Sequence, residues 1–244
     1  MRLFCAATLC AAGLAIAADR PVPLKSGVEF TGADARALQA DDIANPGMLW
    51  VSRGEKLWSE PAGASGKSCA DCHGDATKSM KGVAARTVGL EGRINDCRTG
   101  KQEARAFEPE SQPLLSLSAY VAYQSHGMPM AVEDTPEIHA SLERGRALYH
   151  RRAGQMNLAC SQCHDDNWGK KLAAETLSQG HANAFPEYRL SWESVGSVAR
   201  RIRACYSGIR AEMPEYGSPD LVDLETYLAW RASGLPVESP GVRR

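Results

Sequence analysis

The sequence has little excess of either charge sign, since 28 lysines and arginines stand against 29 acidic residues and give a formal net charge of −1 at pH 7. No basic run suggests binding to nucleic acid or to an anionic membrane surface. No alternation of apolar and polar residues is strong enough to predict a strand. Beyond residue 18, no apolar stretch approaches the ~20 residues that a membrane-spanning helix needs. The sequence therefore predicts an all-α protein without a membrane span.

The apolar residues at the N-terminus are typical of a secretory signal peptide. Arg2 precedes an apolar run, and the Ala-Ile-Ala sequence at residues 15–17 supplies a small-residue cleavage site. We expect residues 1–18 to be removed and the mature protein to lie in the periplasm. A lipid anchor at Cys10 is the alternative, but Leu9 directly before that cysteine fits a lipidation site poorly.

One pentapeptide pattern occurs twice, as Cys-Ala-Asp-Cys-His at residues 69–73 and Cys-Ser-Gln-Cys-His at residues 160–164. C-x-x-C-H is the attachment pattern of c-type haem, because two thiols one helical turn apart reach the two vinyl groups of one porphyrin and the histidine follows as the proximal iron ligand. A zinc or redox site is the alternative for a single copy, and a second copy in matching surroundings argues against it. The sequence predicts two covalently attached haem c groups, with Cys69, Cys72, Cys160 and Cys163 as attachment residues and His73 and His164 as iron ligands.

A tandem repeat surrounds these two motifs. The segment that begins at Arg53 recurs at Arg144, and both this segment and the haem motif repeat at an offset of 91 residues. Further along, Cys97 matches Cys205 at an offset of 108, so the second copy contains 17 additional residues between its haem motif and its later cysteine. These lie within residues 165–188, where we expect a long loop over one haem.

The repeat predicts two tandem class I cytochrome c-like domains with long loops. The first copy opens with a helix over residues 48–59, and the copies close with helices over residues 114–125 and 221–232, whose apolar residues have helical spacing. The predicted organisation is a signal peptide (1–18), an N-terminal arm (19–45) with a short helix over residues 34–43, a first domain (46–130) and a second domain with the active site (131–244).

The second axial ligand of each iron decides what the haems do. Cys97 and Cys205 occupy matching positions behind the two motifs, which predicts two thiolate ligands and low reduction potentials. The alternatives are methionine ligands at Met213 or Met128, neither of which has a counterpart in the other copy, and a disulfide between the two cysteines. Methionine ligation would make the protein a plain diheme electron carrier. An open distal site, with His181 as acid or base, would suit a diheme peroxidase.

Eight further segments run through most of the mature chain. They are residues 93–98, 177–180, 185–190, 201–205, 210–212, 227–231, 234–236 and 240–243. In these segments the sequence resembles the diheme SoxA subunits of the SoxAX cytochromes of bacterial thiosulfate oxidation. The resemblance implies an L-cysteine S-thiosulfotransferase that joins thiosulfate oxidatively to a cysteine of the SoxYZ carrier protein. It also implies a heterodimer with a monohaem SoxX-type subunit and the transfer of two electrons to a soluble cytochrome c acceptor.

The same resemblance implies that Cys205 is the active-site residue. Thiosulfate is a dianion, so the site needs cationic partners. Arg201 precedes Cys205 by four residues, which places both on one face of a helix, and a guanidinium binds sulfonate oxygens in a bidentate way. We therefore expect Arg201 to be the catalytic cation. Further basic candidates nearby are Arg203, Arg210, Lys170 and Lys171.

Overall fold

The computed structural model describes residues 20–133 and 135–244 of the 244-residue chain, so the predicted signal peptide lies outside the described residues. The α-helices in chain order are α1 (Ala33–Ala40), α2 (Met48–Ser59), α3 (Cys69–His73), α4 (Ala76–Ser79), α5 (Val83–Arg86), α6 (Leu90–Gly100), α7 (Gln112–Tyr123), α8 (Pro136–His150), α9 (Cys160–His164), α10 (Val198–Gly208) and α11 (Pro219–Arg231). The strands are β1 (Lys171–Leu172), β2 (Glu175–Thr176), β3 (Glu187–Arg189), β4 (Ser194–Gly196) and β5 (Gly241–Arg243). Within the described ranges, no helix is both long enough and apolar enough to cross a bilayer.

A pair of crossing helices supports each haem motif. Helix α2 packs on α7 in the first copy, and α8 packs on α11 in the second. Glycines let the backbones touch at both crossings: a Cβ on Gly54 would lie 2.0 Å from the carbonyl oxygen of Ser116, and one on Gly145 would lie 2.1 Å from that of Asp223. The Arg-Gly pair that repeats in the sequence therefore marks the point of closest helix contact.

Apolar side chains around the two crossings form two separate cores. The first core contains Val51, Trp58, Ala76, Ala119, Tyr120 and Val121. The second contains Leu142, Leu148, Tyr149, Ala199, Ile202, Leu221, Leu224 and Tyr227. The helix predicted over residues 48–59 has those bounds in the structure, and the two closing helices begin two residues earlier than predicted, at Gln112 and Pro219.

The segments that follow the two closing helices pair with each other. Gly127 and Gly234 have positive φ values of 77° and 92° and turn the chain after α7 and α11. The amide of Gly127 then donates to the carbonyl oxygen of Val237, and the amide of Met130 donates to that of Leu235, both at 2.8 Å. Met130, Leu235 and Val237 are buried in a third apolar cluster. The two copies are therefore joined through equivalent elements.

The fold is mainly helical, as predicted, but the all-α expectation missed two small sheets. Strands β1 and β2 form a hairpin, and a second sheet has the order β4-β3-β5, with β3 antiparallel to β4 and parallel to β5. The cause is that β3 buries charged residues: Glu187 and Arg189 are 3% and 6% exposed and pair with each other at 3.0 Å. The sequence of β3 therefore lacks the alternation of apolar and polar residues by which a strand is predicted. Its buried positions are stabilised by ion pairs instead.

The N-terminal arm lies across the second copy. It contains a 3-10 turn at Gly27–Phe30 and then α1, which ends earlier than the helix predicted over residues 34–43. The amide of Lys25 donates to Gln179 Oε1 at 2.8 Å, and Phe30 makes an edge contact with Trp168 at 6.0 Å between ring centroids. The arm is therefore packed against the segment between the second haem motif and α10.

Candidate active site

Helix α9 carries the second haem motif and presents its two thiols one turn apart. Its N-terminus is closed by Gln162, whose Oε1 accepts from the amide of Ala159 at 2.9 Å. Burial, and after it the nearby sulfur of Cys205, raise the pKa of the Cys160 thiol to about 12. The same two causes raise the pKa of the Cys163 thiol. The three sulfurs therefore lie around one site.

The imidazole of His164 is held in the orientation that a metal ligand needs. Its Nδ1 donates to the carbonyl oxygen of Ser178 at 2.8 Å, so the lone pair of Nε2 is available to iron. The ring also lies close enough to the thiol of Cys205 to lower the pKa of that thiol, so the thiol lies beside the imidazole. Two thiols on one helical turn, an imidazole with Nε2 available and a neighbouring thiol are groups that would hold haem c, with His164 and Cys205 as candidate iron ligands.

Cys205 lies on α10 in surroundings that favour its thiolate. Burial raises the pKa of this thiol, but the interaction with His164 and the positive charges of Arg201 and Arg189 together outweigh burial and leave the pKa below its ordinary value. A thiolate is both a soft iron ligand and a sulfur nucleophile. The arrangement therefore suits a cysteine that binds metal and also reacts with sulfur compounds.

Two arginines lie close enough to Cys205 to act on its charge. Arg201 sits one turn earlier on α10, as predicted, and is half-buried. Arg189 was not among the predicted site residues. It reaches the site from β3, where it also pairs with Glu187 at 3.0 Å and with Glu175 at 3.2 Å. No local pattern in the sequence indicates Arg189, because the tertiary contacts of β3 bring it to Cys205.

The other predicted basic residues have different surroundings. Arg203 donates to the carbonyl oxygen of Pro214 and stacks over Tyr216 at 4.3 Å. Lys170 is exposed and donates to Asn167 Oδ1 at 2.7 Å. Lys171 and Arg210 are exposed as well. Among the predicted basic candidates, Arg201 is the one that lowers the pKa of Cys205 by its charge.

The first haem motif also lies beside a cysteine, in a more open setting. Ser68 caps α3 by accepting from the amide of Asp71 at 3.1 Å. Burial raises the pKa of Cys69, and the sulfur of Cys97 on α6 raises it further, so Cys97 lies beside this motif. His73 is exposed, and its ring lies 5.7 Å from that of Trp58. The first copy therefore also pairs a C-x-x-C-H helix with one cysteine.

The alternative axial ligands are placed elsewhere. Met213 is 44% exposed, and Met128 packs against the cluster between the two copies. His181 is buried, and its pKa is lowered to about 3, mainly by burial and next by the positive charge of Arg231. Its Nε2 donates to Gln179 Oε1 at 3.1 Å. Cys97 and Cys205 are both free, so the alternative of a disulfide between them is not present.

A buried charge lies behind the second motif. Arg231 is fully buried and pairs with Asp165, the residue after His164, at 2.5 Å. The hydroxyl of Tyr149 donates to the same carboxylate at 2.9 Å, and the guanidinium lies 4.6 Å above the Tyr149 ring. This group ties the end of α9 to the helix crossing. The sequence did not indicate Arg231 as a site residue, because it lies at the end of a helix whose pattern is mainly apolar.

Haem-motif helices that each face a cysteine, supported by crossed helices, define a c-type cytochrome. The SoxA/TsdA, cytochrome c domain family matches residues 53–130 and 144–237. The L-cysteine S-thiosulfotransferase subunit SoxA of Pseudaminobacter salicylatoxidans is 41% identical over 230 residues, which are 90% of this chain and 80% of that protein. The subunit of the same name from Rhodovulum sulfidophilum is 37% identical over 238 residues, 93% of this chain and 82% of that protein.

The fold agrees with these relatives. The crystal structure of SoxXA from P. pantotrophus superposes with a TM-score of 0.89 at 33% identity, covering 94% of this chain and 90% of that chain. This chain belongs to the SoxA family.

Proposed function

We propose that this chain is an L-cysteine S-thiosulfotransferase subunit that joins thiosulfate oxidatively to a cysteine of a carrier protein. The observation that carries the proposal is the position of Cys205, whose thiol faces His164 and lies near the charges of Arg201 and Arg189. Relatives at 37–41% identity carry the name L-cysteine S-thiosulfotransferase subunit SoxA, which supports this chemistry for the site.

The chain's own residues supply the sulfur chemistry. In the first step, the thiolate of Cys205 and the outer sulfur of thiosulfate form an S–S bond, and two electrons leave. In the second step, the carrier's cysteine thiolate attacks the sulfur that bears the sulfonate, the new S–S bond forms, and Cys205 departs as a thiolate. The net reaction uses one carrier thiolate and one thiosulfate and releases two electrons to an external cytochrome c acceptor.

Arg201 binds and orients the substrate in this scheme. Its guanidinium offers several N–H donors in a plane that matches the sulfonate oxygens of thiosulfate. The same charge favours the thiolate form of Cys205 in both the first and the second step. Arg189 adds positive charge near Cys205, although its two glutamate partners offset much of its field. We therefore assign the substrate contact to Arg201.

Haem c, when bound, supplies the electron-accepting centre. We propose two haem c groups. Cys69 and Cys72 would attach the first, with His73 and Cys97 as its iron ligands, and Cys160 and Cys163 would attach the second, with His164 and Cys205 as its iron ligands. The two C-x-x-C-H helices and their facing cysteines support this assignment.

The partners and the compartment follow from the same family. The structure that superposes on this chain is a SoxXA complex, so we infer a heterodimer with a monohaem SoxX-type subunit. The SoxYZ carrier and a soluble cytochrome c acceptor are the other partners that we propose, and the predicted signal peptide supports a periplasmic location.

Thiosulfate conjugation assayed with the Cys205→Ala and Cys97→Ala variants tests the proposal. The assay contains the heterodimer, the carrier, thiosulfate and oxidised cytochrome c. We expect Cys205→Ala to form no carrier conjugate while keeping both covalent haems, and Cys97→Ala to change the first haem's spectrum but keep most of the conjugation. Conjugation at the wild-type rate by Cys205→Ala would contradict the mechanism.

A further inference from the structure

The insertion of 17 residues in the second copy makes a contact with the imidazole of His164 that the sequence did not indicate. The carbonyl oxygen of Ser178 accepts from Nδ1 at 2.8 Å. Gly180 lies against the ring itself, because a Cβ at this position would be 2.9 Å from His164 Cγ and 3.0 Å from Nδ1. Backbone atoms of two neighbouring positions therefore limit the rotation of one ring. Gly180 also has a positive φ of 72°, which glycine adopts without strain.

The chain segment that makes these contacts is anchored by its own middle residue. Gln179 is fully buried. Its Oε1 accepts from the amide of Lys25 at 2.8 Å, and its Nε2 donates to the carbonyl oxygen of Pro23 at 2.9 Å. The ring of His181 adds a third contact to Gln179 at 3.1 Å. The N-terminal arm therefore fixes the segment that touches His164.

The first copy lacks this arrangement. It has no insertion, and His73 is exposed while His164 is half-buried. The ring of His73 contacts the neighbouring Trp58 ring. It makes no hydrogen bond to any residue in the described ranges 20–133 and 135–244. The two histidines occupy the same place in the repeat. The backbone contacts to the ring are therefore a feature of the second copy, which also contains Cys205 and Arg201.

We propose that the insertion is a clamp that fixes the orientation of His164, with Gly180 and Gln179 as positioning residues for the axial ligand of the second haem. This inference rests on the proposed role of His164 as an iron ligand. Groups behind a metal-bound histidine set its ring orientation and its basicity. A fixed ring would hold the iron in a constant position while Cys205 forms and breaks bonds to sulfur in the proposed reaction.

Alanine at Gly180 tests the clamp against a matched control. Gly169 lies in the same insertion with a positive φ of 85°, but a Cβ there would meet nothing within 4 Å. Gly169→Ala therefore introduces similar backbone strain without a contact to the ring. Both variants are compared with wild type in the haem-loaded heterodimer, by the g values of the low-spin ferric haems in electron paramagnetic resonance and by the reduction potential of each haem.

The expected result for Gly180→Ala is a shift in the g values and the potential of the second haem, with the first haem unchanged as an internal check of folding. Gly169→Ala should leave both haems unchanged. The clamp would be refuted if Gly180→Ala matched Gly169→Ala. A wild-type second haem without a histidine–thiolate spectrum would instead overturn the ligand assignment on which the clamp rests.

Gln179→Ala gives a second test that adds no atom near the ring and does not depend on tolerance of a new methyl group. Loss of the three Gln179 contacts should let the segment move, so the second haem's resonance should broaden relative to that of the first. A resonance as narrow as in wild type would refute the role of the arm and of Gln179, whether or not Gly180→Ala accumulates as a folded protein.

Discussion

Replacement of Arg201 by methionine removes the charge near Cys205 and keeps an unbranched stem that suits a helix. Arg201 is half-buried on α10, and in our account it donates hydrogen bonds to the sulfonate oxygens of thiosulfate. A hydrogen bond to a charged group contributes about 1.5–3 kcal/mol, and each 1.4 kcal/mol is about tenfold in rate or affinity. We therefore expect kcat/KM for thiosulfate to fall by about 10- to 150-fold in Arg201→Met.

The assay is thiosulfate-dependent reduction of oxidised cytochrome c in the presence of the carrier protein, with thiosulfate concentration varied. Arg93→Met is the matched control, because Arg93 precedes Cys97 by the same four residues in the first copy. The control should keep the wild-type kcat/KM. The reasoning would be refuted if Arg201→Met stayed within about twofold of wild type, or if Arg93→Met lost as much activity.

Three further predictions concern the cysteines, the helix crossing and the half-buried carboxyl group of Glu225. Cys205→Ala should abolish conjugation and Cys97→Ala should not, as measured by carrier mass. Gly145→Ala should lower the free energy of unfolding, measured by guanidinium titration, by about 1–3 kcal/mol or more, since a Cβ would overlap the facing backbone. Gly92→Ala is the control, because a Cβ there would meet open space, and it should be neutral or stabilising. Burial raises the pKa of Glu225 to about 8. Because this folded-state value lies above the unfolded value, wild-type stability should decline between about pH 4.5 and 8 and Glu225→Gln should flatten that decline; an unchanged pH profile in Glu225→Gln would contradict this assignment.

The features that the sequence predicted are those with local or repeated signals. The helix over residues 48–59 has the predicted bounds, because its apolar spacing and its Arg-Gly pair are visible in the chain. The position of Arg201 relative to Cys205 was predictable for the same reason, since four residues are one helical turn. The repeat also located the insertion, because the offset between equivalent residues grows from 91 to 108 after the second haem motif.

The features that the sequence did not predict depend on contacts between distant segments. Strand β3 was missed because its buried residues, Glu187 and Arg189, are charged and are stabilised by partners elsewhere in the chain. The approach of Arg189 to Cys205 depends on that strand. The contact of Gly180 with His164 was equally hidden, because a glycine in a polar loop has no pattern that identifies the ring against which it packs.

The most direct test of the central claim is peptide mass spectrometry of the non-reduced mature protein before and after exposure to thiosulfate and an oxidised cytochrome acceptor. Our account predicts haem on both C-x-x-C-H peptides and a sulfur-containing adduct on the peptide of Cys205, with none on the peptide of Cys97. A Cys97–Cys205 cross-linked peptide without any adduct would contradict it, because neither cysteine would then be available as a thiolate ligand or as the reacting sulfur.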